Sequence, residues 1–236
     1  MRNSLGDRMK SNYELRQRRY LTCRTPVIVR VDGKAFHTFT KGFDKPFDAR
    51  LMDAMILAAS QLFGEAQGCK MGYIQSDEAS FVLTDYDKLD TQGWFNYNAD
   101  KIESISASCM TMAFNRAMRL CNRPGTAMFD ARAFNIPKDE VANYFLWRAQ
   151  DWHRNSITMY SQSFFSHKEL HGKTCADMHE MLHGIGKNWT HDLDDDAKNG
   201  TFIARIDGEN HIVDTIKPKY GPISELWDAV RPEEID

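Results

Sequence analysis

The sequence predicts an α+β fold, in which a ferredoxin-type βαββαβ sheet has its helices on one face and is followed by a C-terminal helical extension and a hairpin. Two observations predict it. Short strand-like segments and amphipathic helical segments follow one another in the order strand, helix, strand, strand, helix, strand. A further helical stretch begins after Pro137, and an Asp-Gly pair near the end of the chain is typical of a hairpin turn.

The first strand and the first helix have clear patterns. The segment 26–31 is short and rich in β-branched side chains, which predicts a buried strand that ends at Asp32 and Gly33. Apolar residues within 47–62 recur three and four positions apart, which predicts an amphipathic helix. Gly64 lies near the expected end of that helix.

The remaining core elements complete the pattern. Residues 70–75 and 79–84 predict two strands joined by a tight turn. Residues 95–120 predict the second helix, stopped by Arg123-Pro124-Gly125, and 126–134 predict the fourth strand. Right-handed connections would place the first strand beside the third, with both helices on one face of the sheet.

The C-terminal part is predicted to be mainly helical. Residues 138–166 and 174–185 have helical patterns, and 206–212 predict a hairpin centred on Asp-Gly. The acidic stretch 186–200 is interpreted as a solvated turn.

The composition is that of a globular protein. The 236 residues are 42% hydrophobic and 27% charged, with a net charge of −3. This length suits one compact unit, in which we expect a palm-like core with an N-terminal segment at residues 1–136 and a packed extension at 137–236. No apolar run is long enough to cross a membrane. The five cysteines form no CxxC pair, which favours a cytoplasmic protein.

Two acidic sites lie where the predicted topology brings them together. Asp32 ends the first strand, and Asp77 and Glu78 lie in the turn between the second and third strands. Because the first and third strands are expected to be neighbours, these carboxylates should converge at one edge of the sheet. Like charges repel unless a cation lies between them, and oxygen ligands without nearby His or Cys favour Mg²⁺. Two such ions would suit phosphoryl or nucleotidyl transfer.

Turn formation alone is the competing interpretation of the same residues. Asp, Ser and Gly are common in turns, so Asp32-Gly33 could be a strand-ending turn and Ser76-Asp77-Glu78 a hairpin turn. Their occurrence on neighbouring strands of one sheet favours the active-site interpretation. The pattern alone leads no further than palm-like nucleotidyl transfer.

Several segments resemble the tRNA-His guanylyltransferase family, and in particular its bacterial-type branch. They follow one another in the family's order and cover most of residues 5–190. The matching segments are 5–10 (LGDRMK), 29–39 (VRVDGKAFHTF), 43–48 (FDKPFD), 73–81 (YIQSDEASF), 129–132 (FDAR) and 147–148 (WR).

This resemblance implies an active site with two Mg²⁺ ions, in which Asp32 and Asp77 are the catalytic carboxylates. Asp32, the backbone carbonyl of Gly33, and Asp77 would hold the metals. Backbone amides of the loop from Asp32 to His37 would bind anionic oxygens of a nucleoside triphosphate, and Lys45 would contact the triphosphate as a point charge. The implied nucleotide-binding residues are Asp32, Gly33, Lys34, Ala35, Phe36, His37, Lys45, Ser76 and Asp77.

The resemblance also implies a reaction and its partners. Family members activate a 5′-monophosphate end of tRNA with ATP, and the 3′-OH of GTP then attacks, so growth runs from 3′ to 5′. The expected partners are therefore tRNA, GTP, ATP and other NTPs, without a membrane. The expected assembly is a homotetramer.

One segment departs from the eukaryotic members. They have His-Ile-Asn-Asn-Leu-Tyr-Asn after their Trp-Arg, whereas this chain has HRNSITM at 153–159. The final Asn is a triphosphate ligand there, but Met159 cannot donate the same bond, so that contact is not carried over. The Arg-Asn-Ser-Ile run resembles the bacterial-type branch, whose members tend to repair truncated tRNA 5′ ends by template-directed addition. Further tRNA or nucleotide contacts are expected from Glu78, Arg132, Arg148, His153 and Asn155.

Other interpretations compete with this one. Arg148 could instead form a structural ion pair with Asp151 on its own helix face. A palm-type nucleotidyl cyclase would use the same carboxylates on GTP or ATP without RNA. A non-catalytic ferredoxin-like RNA-binding module would need aromatic side chains on exposed strands. The stripe of His and Cys between 171 and 183 has zinc-like spacing, but twelve residues of helix rise about 18 Å, so we interpret it as one partly buried helix face.

Overall fold

The structure is a computed structural model that describes residues 4–121, 126–213 and 216–233. The helix stop predicted at Arg123-Pro124-Gly125 lies outside the described residues. Across the described ranges, no helix combines the length and the apolar character needed to span a membrane.

The predicted strands and long helices are all present, with a few additional short helices. The strands are β1 (Val27–Gly33), β2 (Cys69–Gln75), β3 (Glu78–Leu83), β4 (Phe129–Asn135), β5 (Thr201–Ile206) and β6 (Glu209–Val213). The helices are α1 (Leu5–Met9), α2 (Phe36–Phe39), α3 (Ala49–Glu65), α4 (Ala99–Leu120), α5 (Val141–Gln162), α6 (His167–Leu170), α7 (Cys175–Gly184), α8 (Trp189–Asp192), α9 (Asp195–Asn199) and α10 (Tyr220–Val230).

The strands form one antiparallel sheet in the order β4-β1-β3-β2-β5-β6. The predicted neighbourhood of the first and third strands is confirmed, because Asp32 of β1 lies opposite Glu78 of β3. The C-terminal hairpin is also present, as β5 and β6, and it joins the sheet, with Ile74 of β2 opposite Thr201 of β5. Since β2 would otherwise be an edge strand with unpaired backbone groups, the hairpin protects that edge.

Helices α3 and α4 pack together on one face of the sheet, as the sequence predicts. Each begins at a side-chain cap: Asp48 accepts a hydrogen bond from the Arg50 N–H, and Asn98 accepts one from the Lys101 N–H. Their apolar stripes face the sheet and each other, and Phe114 of α4 is fully buried there.

The opposite face of the sheet is covered by α5 and α10. Ile28 of β1 and Val82 of β3 share a buried cluster there with Phe145 of α5 and Trp227 of α10. α10 was not predicted from the sequence, although its third residue, Pro222, suits the first turn of a helix.

The interpretation of residues 186–200 as a solvated turn is wrong. This stretch forms α8 and α9, and the indole of Trp189 is buried, with its N–H donating to the hydroxyl of Ser156 at 2.9 Å. Asp192, Asp194 and Asp195 are exposed on these short helices, so composition alone hid their buried apolar sides. His179 of the zinc-like stripe also packs edge-on against Trp189.

Candidate active site

Carboxylates converge at the sheet edge where β1 ends. Asp32 lies opposite Glu78 on one side and opposite Asp130 of β4 on the other. Asp77 lies in the turn before β3, and its backbone carbonyl accepts a hydrogen bond from the Gly33 N–H at 3.0 Å. The convergence predicted from topology is therefore present in the structure.

Gly33 allows the two acidic segments to approach closely. A Cβ atom at this position would lie 2.2 Å from the ring of Phe36 and 2.9 Å from the Oδ2 atom of Asp77. Any larger residue would displace the ring or the carboxylate. Glycine at position 33 is thus required by close packing.

The carboxyl group of Asp77 lacks enough compensation for its charge. Burial raises its pKa to about 6, a hydrogen bond from Ser76 opposes the rise, and the nearby charges of Asp32 and Glu78 add to it. A bound cation would remove this penalty.

The donors at this edge fit Mg²⁺. Two carboxylates, Asp32 and Asp77, adjoin the backbone of Gly33, and these hard oxygen donors suit a cation that retains several waters. Within the described residues no group of three or more His, Cys, Asp or Glu side chains gathers around a single metal position. A site built here would therefore need the Gly33 carbonyl, water or substrate phosphates as further ligands.

A cleft of about 570 Å³ opens beside these residues. This volume is within the usual range for small-molecule sites. The sequence-predicted residues that line it are Gly33, Ala35, Phe36, His37, Lys45, Ser76 and Asp77.

The loop after β1 is shaped by one left-handed residue and one buried ring. Ala35 has φ 52°, which turns the chain into α2. Phe36 then anchors the loop, packing against Phe114 at 5.5 Å and Phe129 at 5.2 Å between ring centroids. Lys34 is exposed, and its N–H donates to the Met128 carbonyl at 2.8 Å, so its side chain does not line the cleft.

Lys45 lies in a loop that is held by an ion-paired cap. The Asp48 carboxylate accepts hydrogen bonds from the Asp44 N–H at 3.2 Å and from the Arg50 guanidinium at 2.7 and 2.9 Å. Arg50 lowers the pKa of Asp48 to about 2, so the pair is charged at any physiological pH. The exposed ammonium of Lys45 is thereby presented at the cleft.

Glu78 and Arg148 are buried together, whereas the sequence analysis interpreted both as contacts for tRNA or nucleotide. The Arg148 Nε and Nη2 atoms donate to the two carboxylate oxygens of Glu78 at 2.7 and 2.9 Å. Arg148 is only 7% exposed. The structural ion pair that competed with this interpretation is present, with Asp151 at 3.4 Å, but its main acceptor is Glu78.

The other expected contacts also lie outside the cleft. His153 packs edge-on against Trp189 at 4.9 Å between centroids, and burial lowers its pKa. Asn155 is exposed on α5, and Arg132 is exposed on β4. None of the three lines the cleft, so any contact they make would be with a larger substrate than one nucleotide.

Sequence reasoning missed the far wall of the cleft. Trp152, Met159 and Ser163 line it, and their spacing of seven and four residues puts them on one face of the helix region 141–163. That spacing was readable in the sequence, but which face of α5 points toward the sheet edge was not. Further missed lining residues are Gln162, Asp196, Gly200 and Thr201.

An antiparallel βαββαβ sheet with an acidic edge beside a nucleotide-sized cleft defines a palm-type nucleotidyltransferase. Comparisons with known proteins specify the family. The chain matches the family model described as tRNAHis guanylyltransferase over residues 6–137. This chain belongs to the tRNAHis guanylyltransferase family.

Sequence relatives agree with this family. The tRNA(His) guanylyltransferase of Schizosaccharomyces pombe is 30% identical over 213 residues, which cover 79% of this chain and 77% of that protein. An uncharacterised protein of Acanthamoeba polyphaga mimivirus is 30% identical over 186 residues, which cover 68% of this chain and 63% of the viral protein.

Solved structures agree on the fold and on the bacterial-type branch. A bacterial tRNA(His) guanylyltransferase-like protein in complex with ATP has a TM-score of 0.84 and 46% identity, covering 89% of this chain and 92% of that chain. A second such bacterial protein, in complex with GTP, has a TM-score of 0.81 and 38% identity, covering 96% of this chain and 99% of that chain. The resemblance stated from the sequence motifs, and the palm-like fold it implied, are confirmed.

Proposed function

We propose that this chain is a tRNA 5′-end nucleotidyltransferase that extends RNA in the 3′-to-5′ direction. This proposal depends on one observation: the incompletely compensated carboxylate of Asp77 lies close to Gly33 and lines the cleft. The bacterial relatives in complex with ATP and with GTP support these two nucleotides as substrates here.

The reaction has two transfers that the same residues can serve. An oxygen of the tRNA 5′-monophosphate attacks the α-phosphorus of ATP and releases pyrophosphate. The 3′-OH of GTP, or of another NTP, then attacks the activated 5′-phosphate and releases AMP. Each transfer exchanges one phosphate ester or anhydride for another, so no oxidant or reductant is needed.

The chain's own residues would bind and orient these groups. Asp32, Asp77 and the Gly33 carbonyl would hold two Mg²⁺ ions, which when bound would offset phosphate charge and favour loss of the hydroxyl proton. Lys45 and the loop that ends at His37 would position the triphosphate beside them. Lys34 lies within this loop and Ser76 is part of the cleft lining, and both residues are exposed to solvent, where they could contact the nucleotide.

We also propose that the chain repairs truncated tRNA 5′ ends by templated addition. Support comes from the segment 153–159, which resembles the bacterial-type branch and has Met159 in place of a triphosphate-binding Asn. Met159 lines the cleft, so it occupies the part of the site where that Asn would act. Maturation of tRNA-His by fixed addition of G is the alternative use of the same chemistry.

The assay is incorporation of labelled nucleotide into 5′-truncated tRNAs of several species, with ATP and Mg²⁺. We expect addition by the wild type, and loss of addition in Asp32→Ala and Asp77→Ala variants that remain folded. A cyclase would instead convert GTP or ATP to a cyclic product without RNA. An RNA-binding module would retain tRNA without consuming nucleotide. Either result, without addition to tRNA, would refute the proposed function.

A homotetramer in the cytoplasm is part of the same proposal. The described part of α1 buries none of its side chains, and Leu5, Met9 and Tyr13 are exposed along this N-terminal segment. Exposed apolar side chains at helical spacing support self-association. Light scattering of the purified chain would give the mass of the assembly directly.

A further inference from the structure

An open strip of the sheet lies beside Asp32, on the face opposite α4. β4 is an edge strand, and its alternate residues Asp130, Arg132 and Phe134 lie on this face because Phe129 and Ala133 are buried against α4. The side chains of Asp130 and Arg132 are 60% and 59% exposed. Phe134 is 38% exposed, a high value for a ring on a sheet face.

α5 packs against β2 and β3 and approaches β4 at Phe134, so Asp130 and Arg132 of the β4 face stay open. The hydroxyl of Tyr144 on α5 is 3.0 Å from the hydroxyl of Ser80 on β3. Arg30 of β1 lies between Ser80 and Arg132 in the same cross-strand row. The sheet therefore extends beyond the helix on its β4 side, where Asp130 and Arg132 face solvent.

Two exposed aromatic rings, Phe134 and Trp147, lie on this face on either side of the buried Tyr144. Phe134 packs edge-on against Tyr144 at 6.0 Å between centroids, and Tyr144 packs edge-on against Trp147 at 5.8 Å. Tyr144 is buried, whereas Trp147 is 50% exposed. The guanidinium of Arg148 lies 4.6 Å from the ring of Trp147 and helps to fix it. Both exposed rings are thus held in place by buried neighbours, which reduces the entropy lost on stacking.

We propose that Arg132 and Phe134 of β4, together with Trp147 of α5, bind a single-stranded segment of the RNA substrate. These three residues are called the β4 strip from here on. The rings would stack on bases, and Arg132 would contact a phosphate. The strip leads to the proposed site, because Asp130 lies opposite Asp32 and Arg132 is two residues, or about 7 Å, further along the strand. The inference rests on the proposed function, since it assigns a surface to the same RNA.

The strand edge itself favours RNA over an added protein strand. The Ala133 N–H donates to the Glu103 carboxylate at 3.1 Å, and the Phe129 N–H donates to the Thr111 hydroxyl at 3.1 Å. Side chains of α4 thus occupy backbone donors that strand addition would need. The guanidinium of Arg132 lies 3.9 Å from the exposed carboxylate of Asp130, which would repel phosphate, so the RNA backbone should approach Arg132 from the side away from Asp130.

Binding of short RNA probes tests the strip directly. The probes are a 5′-monophosphorylated blunt duplex, the same duplex with a four-nucleotide 3′ extension, and one with a 5′ extension. Fluorescence anisotropy with the full chain should show tighter binding of an extended duplex than of the blunt one. The two extensions distinguish whether the single strand is the 3′ tail or the 5′ end.

The variant Phe134→Leu/Trp147→Leu keeps apolar contact with Tyr144 while removing both rings. It should lose about fivefold or more of its affinity for the preferred extended duplex, and little for the blunt one. Arg132→Gln should reduce the slope of log affinity against log salt by roughly 0.7 for the extended duplex. Phe164→Leu and Arg231→Gln, an exposed ring and an exposed cation elsewhere, are the matched controls.

Two results would overturn the inference: equal binding of blunt and extended duplexes by the wild type, or an unchanged preference in the double variant. Thermal unfolding of each variant shows whether it is folded. The addition assay on tRNA separates this outcome from the proposed function. Addition by the wild type with no role for the β4 strip would refute the strip alone, whereas absence of addition would refute the enzyme assignment.

Discussion

Arg148 and Glu78 form a buried ion pair in which the guanidinium donates to both carboxylate oxygens, at 2.7 and 2.9 Å. The two residues are 70 positions apart, and their pair joins α5 to the start of β3. Because Arg148 compensates Glu78 and Arg132 lies 3.9 Å from Asp130, the acidic charge left for a cation at the sheet edge is mainly that of Asp32 and Asp77. Glu78 is therefore a structural carboxylate, whereas its neighbour Asp77 lines the cleft.

Removing Arg148 should destabilise the fold. Arg148→Met would leave Glu78 buried beside the other carboxylates, which should lower the free energy of unfolding by about 3 kcal/mol. Urea unfolding measures this loss. Arg154→Met, on the same helix with a side chain 62% exposed, is the control and should change stability by less than about 0.5 kcal/mol. Adding Glu78→Gln should recover part of the loss, and equal effects of the two arginine variants would contradict the prediction.

Asp77→Asn should abolish nucleotide addition and stabilise the protein without metal. The folded-state pKa of Asp77 is raised to about 6 from an ordinary 3.8, so its ionisation destabilises the fold above that range. In EDTA at pH 7.5 the variant should gain roughly 1–3 kcal/mol, a gain that shrinks as the pH falls from 6 to below 4. Asp130→Asn, at an exposed carboxylate, is the control for the stability measurement. A less stable variant at pH 7.5 would show that Asp77 is already compensated.

Lys45→Ala should weaken nucleotide use by about tenfold or more, because a charge-assisted contact to phosphate would be lost. Initial rates at sub-saturating ATP and GTP measure the effect. Arginine at this position should restore only part of the rate, since its planar fork differs from an ammonium. Lys41→Ala changes an exposed lysine that lies outside the cleft lining, and it should leave the rate unchanged. Equal rates for the two alanine variants would remove Lys45 from the site.

Asp48→Asn should lower the free energy of unfolding by about 2 kcal/mol at neutral pH, because the cap of α3 would lose its charged partner. The folded-state pKa of Asp48 is lowered to about 2 by Arg50, so its contribution to stability is present above its ordinary pKa of 3.8 and is lost as the pH falls toward 2. The difference between wild type and variant in urea unfolding should therefore shrink below pH 4. Asp53→Asn, exposed on the same helix, should show no such pH-dependent difference.

The sequence was sufficient for the first four strands of the sheet and, with the family resemblance, for one wall of the site. Strand and helix periodicities predicted βαββαβ, and that topology alone placed Asp32 beside the turn of Asp77. The Asp-Gly pair was recognisable because it directly follows a short β-branched strand, and the structure adds that close packing requires glycine at position 33. These features depend on local pattern and on chain connectivity, which a single sequence expresses.

The other wall depends on how distant elements pack, which no local pattern encodes. Helicity of α5 was predicted, but the orientation that sends Met159 to the cleft and Arg148 to Glu78 is set by packing across the sheet. For the same reason Arg148 was interpreted as a substrate contact rather than a buried partner. The stretch 186–200 was misread because its run of carboxylates dominates the local composition, whereas its buried residues, among them Trp189, are dispersed along it.

The source of nucleotide specificity gives the last prediction. If addition is templated, the base opposite the missing 5′ nucleotide should select the incoming NTP, and the protein should read mainly backbone and shape. With a 5′-truncated tRNA, changing the opposing base from C to A should therefore switch the added nucleotide from G to U. Competition among labelled NTPs on the two matched tRNAs measures the switch, and a tRNA with a non-His anticodon is the control. Addition of G regardless of the opposing base, together with dependence on the His anticodon, would instead establish fixed maturation of tRNA-His.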